Sequence, residues 1–294
     1  MRDAPRLLVV GYLSIDALAV PGARWDSMPG GAALYAALGA RRAGARVTLA
    51  AAVGEDFPPA WLDMLAAMGL DLSGVQRRPG ATRRARLQHG TAGERASPHH
   101  GDPAWHERSE AMLPCLPASL DGFDAAVAGP VPPVLLPQLL AAATCPVVAD
   151  TSEVFAALEC EAVLAALPGL TAFAPSIAET RLLLPELDDD AAARSLAARG
   201  PCVLQKRGAA GALAVAGGVA TAIPAPPARV VDPTGAGDAT VGALAALLAA
   251  GLPFTAAARQ AMEVGAAAVS APGPAALGFA PSPRNPEPTG RRPA

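Results

Sequence analysis

Apolar runs of strand length alternate along this chain with longer stretches of helical period. Arg6–Val10 (RLLVV) and Arg46–Val53 (RVTLAAAV) read as buried strands, being short and almost free of polar positions. Between them, residues 31–44 read as a helix of small side chains ending at glycine. The run Asp56-Phe57-Pro58-Pro59 opens a second helix, with Asp56 as the expected cap and the prolines in the first turn; it stops near Gly69. Further strands are expected at 124–128, 146–150 and 170–174, each followed by a helical stretch, and then at 202–206, 212–216 and 219–223. This order predicts an α/β fold whose mainly parallel sheet is covered by helices on both faces. Ligands of such sheets bind beyond the carboxyl ends of the strands, so the chemistry is expected in the loops that follow strands.

Two stretches break the alternation. Residues 17–29 contain glycine, proline and Trp25, while residues 82–113 begin with the arginine-rich run Arg83 to His89 and continue into a polar segment. The second reads as a hairpin with a long irregular return, and both are expected to serve as lid segments of one domain spanning residues 1–280. The proline-rich tail, 281–294, is expected to be disordered.

Composition narrows the class. Hydrophobic residues make up 52% of the 294 and charged residues 17%, enough for a sizeable core. A formal net charge of −3 supplies no broad positive field for nucleic acid or anionic lipid, so neither is an expected partner. Arg77, Arg78, Arg83, Arg84 and Arg86 form a local cluster, read as a solvated edge in preference to a phosphate site. Cys115, Cys145, Cys160 and Cys202 lack metal or disulfide spacing and read as buried small hydrophobes. His89, His99, His100 and His106 read as surface residues. No signal peptide or membrane-length apolar run is evident, which points to a cytoplasmic protein.

The strongest chemical signal is Val231-Asp232-Pro233-Thr234-Gly235-Ala236-Gly237-Asp238, which leads into the helical run ATVGALAALLAAG. Glycines permit a tight turn whose N–H groups converge, and the following helix adds the positive end of its dipole. A phosphate is the natural occupant, with Asp238 either at that mouth as a base or serving as a cap. The spacing of Gly235, Gly237 and Gly242 is not that of a dinucleotide-binding dehydrogenase loop, and the Walker A pattern is absent.

The run Asp232 to Asp238 resembles the signature of the ribokinase-like (PfkB) carbohydrate kinases. Gly11 to Asp16, Pro29-Gly30-Gly31, Val53 to Phe57 and Gln205 to Gly211 resemble further segments of that family in the same order. The resemblance implies a three-layer αβα fold with a small β-lid, and phosphoryl transfer from ATP to a hydroxyl of a small sugar or cyclitol. Asp238 would be the base, and the backbone of Gly235, Ala236, Gly237 and Asp238 the anion hole. Asp16, Gly30, Gly31 and Asp150 would hold the acceptor; Lys206, Gly208, Gly211 and Thr234 would line the nucleotide site. Glu179 and Asp232 would serve Mg²⁺, and Asp232, Thr234, Ala268, Ala271 and Gly273 match positions that hold a monovalent cation such as K⁺. One departure is Ser176 where the family carries asparagine, and the alternative for Ser176 and Glu179 is a capping box. The compact first lid, Ser176 and Asp150-Thr151-Ser152 resemble the inositol-kinase-like branch. A nucleoside kinase is the alternative, with Tyr12, Trp25, Trp105 or Phe155 as a wall for the base. A catalytically weak nucleotide- or sugar-binding regulator is the competing class, and a monomer or homodimer is the expected assembly.

Overall fold

The computed structural model describes residues 3–90, 95–96, 103–280 and 287–288. Nine strands form the main sheet: β1 (Arg6–Val10), β4 (Arg46–Val53), β5 (Asp71–Arg77), β8 (Ala125–Ala128), β9 (Val147–Ala149), β10 (Ala172–Phe173), β11 (Cys202–Lys206), β12 (Ala212–Ala216) and β13 (Val219–Ile223). Their spatial order is β13-β12-β11-β10-β9-β8-β1-β4-β5, parallel from β11 to β5, with β12 and β13 antiparallel at one edge.

Helices cover both faces, which explains why the central strands are apolar throughout. In β1, Leu7 and Val9 enter one core while Leu8 and Val10 enter the other. The first core packs against α1 (Ala32–Arg42), α2 (Pro59–Ala67), α9 (Ala236–Ala249) and α10 (Phe254–Ala268). The second packs against α4 (Leu135–Ala142), α5 (Glu153–Leu158), α6 (Cys160–Ala166), α7 (Ile177–Leu183) and α8 (Asp189–Ala197). This is the expected three-layer arrangement. Among the described residues no helix is long and apolar enough to cross a membrane.

The two stretches that break the alternation share a second sheet. Residues expected to be irregular form an antiparallel pair, β2 (Ser14–Val20) and β3 (Ala23–Gly30). β2 also runs parallel to β6 (Arg84–His89), which pairs with the short β7 (Arg95–Ala96). The return from β7 contains α3 (Pro103–Ala111), where no helix was expected. Of the tail expected to be disordered, only the short β14 (Glu287–Pro288), paired with β3, lies within the described residues.

Asp56 does not cap α2, whose N-cap position is Pro58. Its carboxylate instead accepts from the Thr82 N–H and hydroxyl, at 2.7 and 2.6 Å, and from Arg84. This acid therefore ties the loop after β4 to the start of β6, a non-local partnership that outcompetes the local cap.

Close backbone contact sets the position of α9. A Cβ on Gly242 would lie 1.8 Å from the Ala36 carbonyl oxygen of α1, and one on Gly39 would lie 2.1 Å from the Ala239 carbonyl oxygen of α9. Neither backbone can yield cheaply in a close-packed interior. Gly242→Ala is therefore expected to destabilise the fold by about 1–3 kcal/mol or more through overpacking. Denaturant unfolding measures this, and an unchanged midpoint would mean that the helices are further apart.

Candidate active site

The glycine turn sits where a loop becomes α9. Gly235 takes the N-cap position with φ +72, in the left-handed region, and any Cβ there would lie 2.1 Å from the Tyr35 ring. Only glycine satisfies both limits. Gly235 has no side chain to cap the helix, and Asp238 falls in the first turn of α9, half-buried. Among the described residues, the Gly235 and Gly237 N–H groups have no hydrogen-bond acceptor. Free N–H groups at a helix mouth, on the positive end of its dipole, form an anion site.

Asp232 does not act as its sequence position suggests. It is fully buried; Oδ1 accepts from the Thr234 N–H at 3.0 Å, and Oδ2 accepts from the Gly273 N–H at 2.7 Å. The Val231 and Asp232 N–H groups donate to the Val269 carbonyl at 2.8 and 3.1 Å. Asp232 thus laces the phosphate-type turn to the segment after α10, and no oxygen faces outward for Mg²⁺. The positions implied for a monovalent cation, Asp232, Thr234 and Gly273, do meet here.

His89 corrects the surface reading directly. Its side chain is 5% exposed, and Nε2 lies 2.9 Å from the Thr234 hydroxyl and 3.6 Å from Asp232. The end of β6 is thereby joined to the turn, and the Thr234 hydroxyl is held by His89. His106 is half-buried, with its ring edge-on to Trp105; His99 and His100 lie outside the described residues.

Asp16 projects from β2 toward the diglycine turn. Its Oδ1 accepts from the Ala85 N–H, and a Cβ on Gly30 would fall 1.9 Å from Oδ2. Gly31, with φ +97, has the Tyr12 carbonyl oxygen 2.2 Å from the place a Cβ would take, so both glycines are required by close approach. The Ser14 hydroxyl, buried beside them, has no hydrogen-bond partner among the described residues. Asp16 and Asp238 both act electrostatically on Arg83 and Tyr35, so the two carboxylates share those neighbours.

Arg83 does not belong to a solvated edge. Its guanidinium lies 4.5 Å from the Tyr12 ring and 4.6 Å from the Trp105 ring, and Nε donates to Ser109. Burial raises the Tyr12 phenol to about 12, against the pull of Arg83. Arg77, also read as solvated, donates to the Gly54, Glu55 and Phe57 carbonyls. The four cysteines are free, but Cys115 is exposed, and the other three are half-buried.

Beside the turn, where a Cβ on Gly237 would lie 3.2 Å from Lys206 Nζ, the expected acceptor ligand Asp150 and the expected nucleotide ligand Lys206 form an ion pair, with Nζ to Oδ2 at 2.5 Å. Burial opposes the Lys206 ammonium, yet Asp150 and Glu179 outweigh it and hold its pKa above the usual lysine value. Ser176 and Glu179 form the capping box of α7: the Ser176 N–H donates to Glu179 Oε2 at 2.6 Å, and the Glu179 N–H to Ser176 Oγ at 3.2 Å. Gly208 and Gly211 shape the turn after β11; Gly211, with φ +87, approaches the Ile223 carbonyl, whereas Gly208 faces open space.

Burial and the nearby Asp150 charge push Glu179 up to about 7. A carboxylate whose folded pKa lies above its ordinary value favours the fold fully below that ordinary value and loses the advantage as pH rises through the folded one. Stability is therefore expected to fall between about pH 4.5 and 7, and Asp150, raised chiefly by burial, adds in the same direction. Glu179→Gln retains a capping acceptor and should flatten this dependence. An identical pH slope in denaturant melts of both forms would contradict the assignment.

Among the described residues no three His, Cys, Asp or Glu side chains cluster as a metal-binding group. Mg²⁺ requires fewer, since it keeps several waters and binds one or two carboxylates plus substrate phosphates. Asp150 and Glu179 supply hard oxygen donors of the kind Mg²⁺ takes, whereas both Asp232 oxygens are occupied by main-chain N–H groups, so the Asp150–Glu179 pair fits Mg²⁺ and the Asp232 loop does not.

A mainly parallel sheet with a glycine turn at a helix mouth, whose Gly235 and Gly237 N–H groups have no acceptor among the described residues, sets up an anion site. The pfkB family carbohydrate kinase pattern matches residues 4–279, and the chain belongs to that family. A cytidine kinase from Thermococcus kodakarensis is 50% identical over 76 residues, which cover 26% of this chain and 27% of that protein. The aligned region thus spans about a quarter of this curated relative. A nucleoside kinase from Burkholderia thailandensis in complex with inosine superposes with a TM-score of 0.74 at 20% identity, covering 92% of each chain. An aminoimidazole riboside kinase from Salmonella enterica, solved with aminoimidazole riboside and an ATP analogue, gives 0.72 at 21% identity, covering 92% of this chain and 96% of the other. At such identities the solved structures establish the ribokinase-like fold.

Proposed function

We propose that this protein transfers the γ-phosphoryl of ATP to a hydroxyl of a small polyhydroxylated acceptor. The observation that carries the proposal is the placing of Asp238 in the first turn of α9, beside Gly235 and Gly237 N–H groups that have no acceptor among the described residues. Phosphoryl transfer needs little covalent chemistry from the protein, so positioning and electrostatics supply most of the acceleration. In this reading Asp238 takes the acceptor proton, the turn amides hold the phosphoryl oxygens, and Asp16 orients the acceptor with Gly30 and Gly31 as backbone neighbours. Ser14 offers a further hydroxyl at the same place. Glu179 would hold Mg²⁺ through water beside the nucleotide phosphates, and the ion would neutralise phosphate charge. The residues around Gly208 and Gly211 would border the nucleotide, K⁺ would sit by the Asp232 loop, and the second sheet would act as a lid. A cytoplasmic location accompanies this role.

Tyr12 and Trp105, both candidates for a base wall, are buried with the Arg83 guanidinium over their rings, so neither presents a free face; among acceptors, nucleosides are favoured by similarity instead. That similarity is to a cytidine kinase and to nucleoside-binding folds, while a sugar or cyclitol requires no such wall. ADP release with purified protein, ATP and Mg²⁺ across sugars, cyclitols, pyrimidine nucleosides and purine nucleosides tests both levels. Acceptor-dependent ADP release is expected, strongest for a nucleoside. Nucleotide binding with no turnover for any acceptor would favour the regulatory binding protein instead.

A further inference from the structure

Lys206 stands in the candidate site with more hydrogen-bonding capacity than its neighbours use. An ammonium has three donors and no acceptor. Among the described residues, Asp150 Oδ2 is the single hydrogen-bond acceptor of Lys206 Nζ. The side chain is 13% exposed, so water satisfies little of the remainder. Its backbone is anchored: the Lys206 N–H donates to the Pro175 carbonyl at 2.8 Å, and Lys206 bridges to Ser176 as one more rung of the parallel sheet.

The direction of the ammonium is the informative feature. A Cβ built on Gly237 would lie 3.2 Å from Lys206 Nζ, so the cation covers the second glycine of the turn and depends on the missing side chain there. Asp238 is also within its electrostatic reach. A cation needed only to neutralise Asp150 could point anywhere along that carboxylate; this one lies against the amides that would hold the phosphoryl group.

We infer that Lys206 is a phosphoryl-binding residue, donating from Nζ to an oxygen of the transferred group while Asp150 positions it. The inference rests on the kinase reading and adds a side-chain cation to a backbone anion hole. It also gives Asp150 a different task from acceptor binding: holding Lys206 over Gly237. Proton stoichiometry is unaffected, because Lys206 stays protonated throughout and Asp238 accepts the acceptor proton.

The test compares a nucleotide that carries a γ-phosphoryl mimic with one that lacks it. Calorimetric titration of AMP-PNP and of ADP, each with Mg²⁺, is run on wild type, Lys206→Met and Lys206→Arg, followed by kcat with whichever acceptor supports turnover. Lys206→Met should weaken AMP-PNP by roughly tenfold or more while leaving ADP within about twofold, and should lower kcat by about 10²–10³-fold, the cost typical of one lost transition-state donor. Lys206→Arg should recover part of both. If unpaired Asp150 prevents Lys206→Met from folding, Asp150→Asn/Lys206→Met removes both charges, and the same selective loss is expected. Equal loss for the two nucleotides, a kcat within threefold of wild type, or failure of both variants to fold would assign the lysine to structure and overturn the inference. The binding comparison needs no acceptor, so absence of turnover in wild type would count against the kinase reading alone.

Discussion

Asp238→Asn is expected to fold, bind nucleotide as wild type does and lose about 10²–10⁴-fold in turnover, the usual contribution of a positioned base. Asparagine keeps the shape and the helical position but cannot accept the acceptor proton. Asp238 lies in the first turn of α9, where a carboxylate also favours the helix dipole, so a modest fall in melting temperature accompanies the change. The discriminating quantity is therefore kcat at unchanged ADP affinity. Steady-state turnover with parallel calorimetry measures both, and wild-type kcat in the variant would remove Asp238 from the reaction.

Gly235→Ala should be as damaging by a different route. The new methyl group would need a left-handed backbone and space already held by the Tyr35 ring. Strain of roughly 1–3 kcal/mol is expected from the backbone conformation alone. Relief requires the turn to open, which moves the amides of Gly235 and Gly237 together. Loss of turnover by at least the 10²–10³-fold typical of one missing oxyanion donor is expected, with weaker AMP-PNP binding and a lower melting temperature. An alanine variant with normal kinetics would mean that the turn is not the anion site.

Much of this architecture was legible because the central strands are buried on both faces. β1, β4, β11 and β12 coincide with the expected segments residue for residue, since short runs of mostly apolar residues ending at glycine or charge read as strands; β13 coincides too, although it is a largely exposed edge strand. β5 was not foreseen: DLSGVQR is half-exposed, and its register with β4 is broken by a bulge. α3 was hidden because PAWHERSEA has no sustained apolar face. Residues 17–29 looked irregular because Pro21 and Gly22 make the hairpin turn and Pro29 lies within β3 itself.

The candidate site divides along a similar line. Asp16, Gly30, Gly31 and the Gly235–Asp238 turn lie in local motifs, and the structure sets Asp16 against Gly30 and opens α9 at Gly235 with Asp238 in its first turn. What local reading missed depends on pairs distant in sequence. His89 meets Thr234 across 145 positions, and Lys206 meets Asp150 across 56. No spacing rule connects either pair. Asp232 shows the complementary error: the resemblance implied a metal role for it, yet main-chain N–H groups use both of its oxygens.

The central claim is that phosphoryl transfer occurs at the mouth of α9. A crystal structure with ADP, Mg²⁺, fluoroaluminate and the acceptor selected by the turnover panel addresses it most directly. The planar anion is expected within hydrogen-bond distance of the amides from Gly235 to Asp238, with the acceptor hydroxyl between it and the Asp238 carboxylate. An anion bound elsewhere, or an Asp238 side chain turned away from the acceptor, would contradict the account.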